Sequence, residues 1–134
     1  MQIKKLARQR QFVTKDKSLI REILSPRNSA LRHQSLAEAT VRPGRATERH
    51  CHWTSEEIYF VLQGQGTMEI EGERRPVGAG AGVVILPGQR HHIANTGDVD
   101  LVFLCCCSPA YRDDDTTCYP TRKEEDADGD CGTD

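Results

Sequence analysis

Between residues 35 and 108 the chain breaks into short runs in which apolar positions recur with a period of two. SLAEATV (35–41), EIYFVLQG (57–64), GTMEIEG (66–72), GVVILPG (82–88) and DLVFLCCC (100–107) are rich in apolar and β-branched residues, and Gly, Pro, Asn or Asp separates one from the next. Such runs predict strands. In GTMEIEG, Met68 and Ile70 alternate with Glu69 and Glu71, as a strand with one wet face requires. QGQG (63–66) and EGE (71–73) carry turn chemistry, and Gly64, Gly66 and Gly88 suit the positive φ of tight turns. KDKSLIREIL (15–24) is compatible with a helix or a strand. Short strands with frequent turns predict an all-β sandwich or barrel.

Length changes the picture little. With 134 residues, the chain suits one domain that can bury a real core. We expect a loose basic arm over residues 1–10, a β-barrel domain over 11–112 and an acidic, disordered tail over 113–134. Charge motivates that division: residues 1–49 hold 12 Lys and Arg against 4 Asp and Glu, whereas residues 113–134 hold 2 against 9. The basic residues of the first third are spread among apolar ones, and no helix-turn-helix, zinc finger or aromatic RNA-binding motif accompanies them, so no nucleic-acid partner is expected. The tail has almost nothing to bury. No apolar run approaches the roughly 20 residues that span a bilayer, and the start lacks a secretory signal, so no membrane partner and a cytoplasmic location are expected.

Six cysteines would suit disulfides, but Cys105, Cys106 and Cys107 are consecutive in an apolar run, where neighbours on a strand face opposite ways. No C-x-x-C spacing is present, so the triplet reads as small buried hydrophobes, and Cys118 and Cys131 as tail residues with no structural role.

The chemistry concentrates in HCHWTSEE (50–57), which holds two of the five histidines. On a strand, His50 and His52 share a face and Cys51 points away. After a turn at WTS, the next strand begins at Glu57 and is expected to pair back antiparallel, bringing its carboxylate near the imidazoles. PGQRHHIAN (87–95) supplies a further candidate, His91, behind a Pro-Gly turn. Three neutral imidazoles and one carboxylate suit a divalent transition metal in octahedral geometry, with two positions left for water or substrate.

These stretches resemble the two motifs of the cupin family. Gly44, His50, His52, Glu57 and Gly64 match G-x5-H-x-H-x3,4-E-x6-G at every fixed position. Gly80, Gly88, His91 and Asn95 match G-x5-P-x-G-x2-H-x3-N, with Leu86 in place of the first proline and Pro87 beside it. The 15 residues between the motifs are the short separation of small, single-domain bacterial cupins, RmlC-like jelly rolls. The resemblance implies a double-stranded β-helix, a jelly-roll barrel with a metal in its mouth, and by position it makes His50, His52, Glu57 and His91 the ligands. His92 and His33 are left as surface or packing residues, and Asn95 as a turn-former whose amide ties down its own backbone.

Tyr59, two residues past Glu57 on the same face, is the candidate catalytic proton donor; a core aromatic is the alternative. Trp53 could shield the mouth, and Arg90 could meet an anionic substrate. The cofactor expected is one divalent transition ion, Fe, Mn, Zn or Ni, which the ligand set does not distinguish. The function expected is a metal-dependent enzyme of isomerase, lyase or dioxygenase type acting on a small oxygen-rich molecule. The alternatives are a non-catalytic binding module for a sugar or organic acid and a structural dimeric barrel. A small-molecule ligand and a second copy of the chain, in a homodimer, are the partners expected.

Overall fold

A computed structural model describes residues 1–120. Eleven strands run through them: β1 (Phe12–Val13), β2 (Leu19–Leu24), β3 (Ser35–Val41), β4 (Arg49–His52), β5 (Glu56–Gln63), β6 (Gln65–Ile70), β7 (Glu73–Gly78), β8 (Gly82–Ile85), β9 (His91–Asn95), β10 (Leu101–Ser108) and β11 (Thr116–Tyr119). They form two antiparallel sheets, ordered β1-β2-β3-β10-β5-β8 and β11-β4-β9-β6-β7. This is the double-stranded β-helix expected, and every strand predicted from alternation is present. The ambiguous 15–24 stretch contributes β2, a strand.

The core lies between the sheets. From the first, Ala39, Tyr59, Val61 and Phe103 point inward; from the second, Met68 and Ile93 meet them. Strand β5 shows how alternation sets the two faces, with Glu57, Tyr59 and Val61 buried while Ile58, Phe60 and Leu62 are exposed.

Several elements depart from expectation. Strand β7 (ERRPVG) escaped notice because it is charged and holds Pro76; as the edge of its sheet it can lack one ladder donor. Strand β4 does not pair with β5 but with β9 and β11, so Glu57 faces the histidines from the opposite sheet. The three-residue link Trp53–Ser55 is a sheet crossover rather than a hairpin turn. The expected tail starts too early. Residues 116–119 pair with β4, Thr116 opposite His52 and Cys118 opposite His50, because TTCY is β-branched and aromatic and finds an open edge. Asp115 just before it accepts the Thr54 and Ser55 backbone N–H groups, at 3.0 and 3.3 Å, holding the crossover. Residues 121–134, including Cys131, lie outside the described residues. Of the 1–10 segment, Leu6–Arg8 forms one 3-10 turn, and the Gln2 side-chain oxygen accepts from Ala30 N–H at 2.8 Å.

Two glycines carry specific demands. Gly64 has φ +88°, where an added Cβ would also lie 2.7 Å from Asp100 O. Gly66 does not take the positive φ expected of it. It is a strand residue of β6 with no room for a Cβ, which would collide with Ala94 O of β9. Asn95 ties down its turn as its position suggested: its Oδ1 accepts from Gly97 N–H at 2.8 Å, and its Nδ2 donates to Val99 O and Val41 O at 2.8 and 2.9 Å. The cysteines at 51, 105, 106, 107 and 118 are free thiols. No helix among the described residues is long and apolar enough to cross a membrane.

Candidate metal centre

Strands β4 and β9 place His50 and His91 directly opposite each other. His52, two residues on, shares their face. One ring nitrogen from each of the three lies within 4.8 Å of the other two, and all three side chains are buried. From the facing sheet, Glu57 directs Oε1 to 3.1 Å from His52 Nε2 and 3.6 Å from His91 Nε2. The four residues predicted from the motifs therefore converge, while Cys51 points away toward the Tyr119 hydroxyl, 3.9 Å from its Sγ.

The outer nitrogens fix the tautomers. His50 Nδ1 is 2.7 Å from Glu48 O and His91 Nδ1 is 2.9 Å from Gln89 O. A carbonyl only accepts, so both Nδ1 atoms carry the proton. His52 Nδ1 is 2.9 Å from Thr116 Oγ1, whose own hydroxyl donates to Arg112 O at 2.9 Å, so here too the ring nitrogen donates. In neutral rings all three Nε2 atoms then present lone pairs inward. On the carboxylate side, Cys107 Sγ donates to Glu57 Oε2 at 3.3 Å, which leaves Oε1 to face the imidazoles.

Lone pairs thus face lone pairs. Glu57 Oε1 and His91 Nε2 are buried with no hydrogen-bond partner. The 3.1 Å approach of His52 Nε2 to Glu57 is short, but it is a hydrogen bond only when that nitrogen takes up a proton. Unsatisfied buried acceptors are costly, and a cation shared between them, proton or metal, relieves both at once. Donor atoms held about 2.1 Å from one ion lie about 3–4 Å apart, and the 3.1 and 3.6 Å separations of Glu57 Oε1 from His52 and His91 Nε2 fall in that range. The donor set, imidazole nitrogen and carboxylate oxygen, fits a divalent transition metal, and the carbonyl and hydroxyl partners behind each ring are what orients such ligands.

The electrostatics agree. Burial, then the neighbouring His91, pushes His50 down to about 4, so this ring stays neutral. Burial also disfavours charge on His52, but its contact with Glu57 outweighs that and raises its pKa. Burial alone would raise the Glu57 carboxyl, yet His52 and His91 hold it well below the usual carboxylate range. Burial, then Glu57, pushes the Cys107 thiol up, keeping it a neutral S–H donor.

A cavity of about 60 Å³ adjoins the ligands, lined by Asp16, His50, His52, Glu57, Tyr59, Phe103, Cys105, Cys107, Tyr111 and Thr116 among others. Tyr59 is buried, its ring 4.5 Å from Phe103 and 6.0 Å from His91, with no hydrogen bond from its hydroxyl to another described residue. Burial, then Glu57, raises its pKa well above the ordinary phenol. It keeps its proton and so remains able to donate a hydrogen bond. Trp53 and Arg90 do not line the cavity: Trp53 Nε1 donates to Thr117 Oγ1 at 2.9 Å, and Arg90 is 3.6 Å from Glu71 and 5.7 Å from the centre of the Tyr119 ring. His92 turns outward to Glu69, 3.1 Å away, and His33 is exposed.

Sequence reasoning missed Asp16, Cys107, Tyr111 and Thr116 at this site. Cys107 could have been placed, since its parity with Cys105 and Phe103 sets it on the inner face; the other three follow no spacing rule.

Comparison with known proteins agrees with this geometry. The family model described as "Cupin domain" matches residues 37–107. The chain is 46% identical over 105 residues to the uncharacterized protein MJ1618 of Methanocaldococcus jannaschii, covering 78% of this chain and 84% of the relative. It is 37% identical over 68 residues to an oxalate-binding protein of Thermotoga maritima, covering 51% of this chain and 56% of the relative. Among solved structures, a predicted oxalate decarboxylase from Thermotoga maritima superposes with a TM-score of 0.72 at 24% identity, covering 81% of this chain and 99% of that one. With a family match over more than half its residues and all four motif ligands gathered in one barrel mouth, the chain belongs to the cupin family.

Proposed function

We propose that this cupin is a metal-dependent enzyme acting on a small oxygen-rich molecule, of isomerase, lyase or dioxygenase type, with His50, His52, Glu57 and His91 holding one divalent transition ion. The observation that carries the reading is the pair of buried, unpartnered atoms Glu57 Oε1 and His91 Nε2, 3.6 Å apart beside a cavity.

A metal held there supplies Lewis acidity toward a carbonyl or carboxylate oxygen and, as ferrous iron, reactivity with dioxygen. The chain's own groups do the rest. Phe103 and Cys105 give the cavity an apolar wall that thins the water around a bound molecule. Tyr59, its proton firmly held, donates a hydrogen bond to an oxygen that gains negative charge. Tyr111, stacked edge-on to His52 at 5.6 Å and donating its hydroxyl to Asp113 at 2.7 Å, closes the side of the site next to β11.

The test is turnover. Tag-free protein loaded in turn with Fe, Mn, Zn or Ni is assayed against small hydroxy acids, keto acids, dicarboxylates and sugars. Conversion with at least one metal, lost in Glu57→Gln, is expected. Tight binding of one such ligand without conversion under every metal would favour the second reading, a binding module, which similarity to the oxalate-binding protein supports.

We also propose that the chain is a homodimer. Ile58, Phe60 and Leu62 on β5 and Val84 on the edge strand β8 expose an apolar outer face, and an antiparallel edge strand is self-complementary to a second copy. Light scattering after gel filtration is expected to give twice the 15.0 kDa chain mass for the wild type and the single mass for Val84→Lys. A wild-type monomer would remove this proposal.

A further inference from the structure

The β1–β2 connection carries a partly buried carboxylate that belongs to neither cupin motif. Asp16, at the tip of that hairpin, reaches into the cavity and places Oδ2 3.3 Å from His50 Nε2, with its side chain 13% exposed. Its other oxygen is saturated: Oδ1 accepts from Thr14 Oγ1 at 2.5 Å, Ser18 Oγ at 2.7 Å and Ser18 N–H at 3.0 Å. Three donors on one oxygen fix the carboxylate and turn the free oxygen toward His50.

The hairpin itself is anchored. Thr14 N–H donates to Ser18 O and Lys17 N–H to Thr14 O, both at 3.0 Å, with Lys17 at φ +76° completing the turn. Glu48 N–H donates to Asp16 O at 2.7 Å, and Lys15 Nζ to Thr116 O at 2.7 Å. The tip is thus tied to the start of β4 and to β11, the two segments that carry and support His50 and His52.

His50 Nδ1 carries the ring proton for Glu48 O, so Nε2 presents a lone pair, and a carboxylate oxygen 3.3 Å from it presents another. That is the same kind of lone-pair contact that Glu57 makes with His52 and His91. Two carboxylates thus meet the three imidazoles beside one cavity, Asp16 at His50 and Glu57 at His52 and His91, one held by Thr14 and Ser18 and the other by Cys107.

We propose that Asp16 is a fifth protein ligand of the metal, supplied by the β1–β2 hairpin. The proposal rests on the metal-site reading above. It gives the site a second negative charge, which favours a divalent over a monovalent cation, and one fewer position for water or substrate than the motif ligands alone leave. It also makes the N-terminal segment part of the site, since displacing the hairpin would remove a ligand.

The probe is Co(II), titrated into chelator-treated wild type and Asp16→Asn, with Kd and visible d–d spectrum both recorded. Asparagine keeps an oxygen for Thr14 and Ser18 and turns an N–H toward His50 Nε2, so the metal-free variant is expected to melt no lower than metal-free wild type. Its Kd for Co(II) is expected to rise tenfold or more, with a changed d–d spectrum. An unchanged Kd overturns the proposal while leaving the motif site standing. A weaker Kd with a superimposable spectrum also overturns it, since Asp16 then acts through the fold alone. Failure of the wild type to bind Co(II) overturns both this inference and the metal reading.

Discussion

Replacing His91 by alanine is expected to leave the purified protein with almost no metal, where the wild type is expected to carry about one equivalent. His91 sits at the centre of the proposed site: it is fully buried, its ring lies 4.2 Å from His50 and 5.5 Å from His52, and its Nε2 faces Glu57. Loss even of an outer partner of a ligand costs about 10–100-fold in metal affinity, and loss of the ligand itself costs at least as much. The neighbouring histidine provides the control. His92 differs by one residue but turns outward to Glu69, so His92→Ala is expected to keep its metal. Elemental analysis of tag-free proteins, with far-ultraviolet circular dichroism to confirm folding, reads the comparison. Equal metal in wild type and His91→Ala would end the assignment of the site, and loss of metal from His92→Ala would show that the parity argument on β9 is mistaken.

Removing the metal with a chelator is expected to lower stability more than any other treatment that leaves the sequence intact. A ligand that binds only the folded chain stabilises it by about 4 kcal/mol when free ligand is a thousand times Kd. For a domain of this size that corresponds to a fall in Tm of about 10 °C or more. The physical source is the pair of buried acceptors Glu57 Oε1 and His91 Nε2, which have no hydrogen-bond partner in the protein, with the Glu57–His52 and Asp16–His50 contacts beside them.

Protons compete for the same place, which sets the sign of the pH dependence. Burial opposes charge on His52, but Glu57 raises its pKa in the folded protein. Stability of the metal-free form from a proton on His52 is therefore present below the unfolded value, about 6.5, and is lost as pH rises through the raised folded value. Metal must displace that proton, so the Tm gap between loaded and metal-free protein should be widest above neutrality and close as pH falls. A gap that is absent at every pH, measured by calorimetry with and without added metal, would contradict a structural metal contribution.

The candidate ligands were legible because the motif resemblance named them and local rules agreed with it. A period of two puts His50 and His52 on one face and sends Cys51 to the other, and it sends His91 inward and His92 out. Turn chemistry marked Gly64, and Asn95 closes its turn with its own amide. Alternation along β5 fixed which of two adjacent glutamates would be buried: Glu57 is, and Glu56 is exposed. Each of these follows from side-chain direction along a few residues of extended chain.

What the sequence concealed depends on chain segments that meet only when the barrel closes. Strand β5 crosses to the other sheet, so Glu57 reaches the histidines across the interior rather than along a ladder. Thr116 lies 64 residues from His52 in a stretch whose acidic character hid a strand, and it orients that ring only because β11 takes the open edge of β4. Asp16 stands between two lysines in a turn and reads as a solvated charge until the hairpin folds over the mouth and brings its carboxylate to His50. By itself the sequence determined most of the barrel strands and their inner faces, because alternation and turn conformation are properties of neighbours, and its resemblance to the cupin motifs pointed to the four candidate ligands. Tertiary structure alone decided which sheet each strand joins, what holds each ligand in place and which further carboxylate enters the site, because those contacts span tens of residues and no local pattern encodes them.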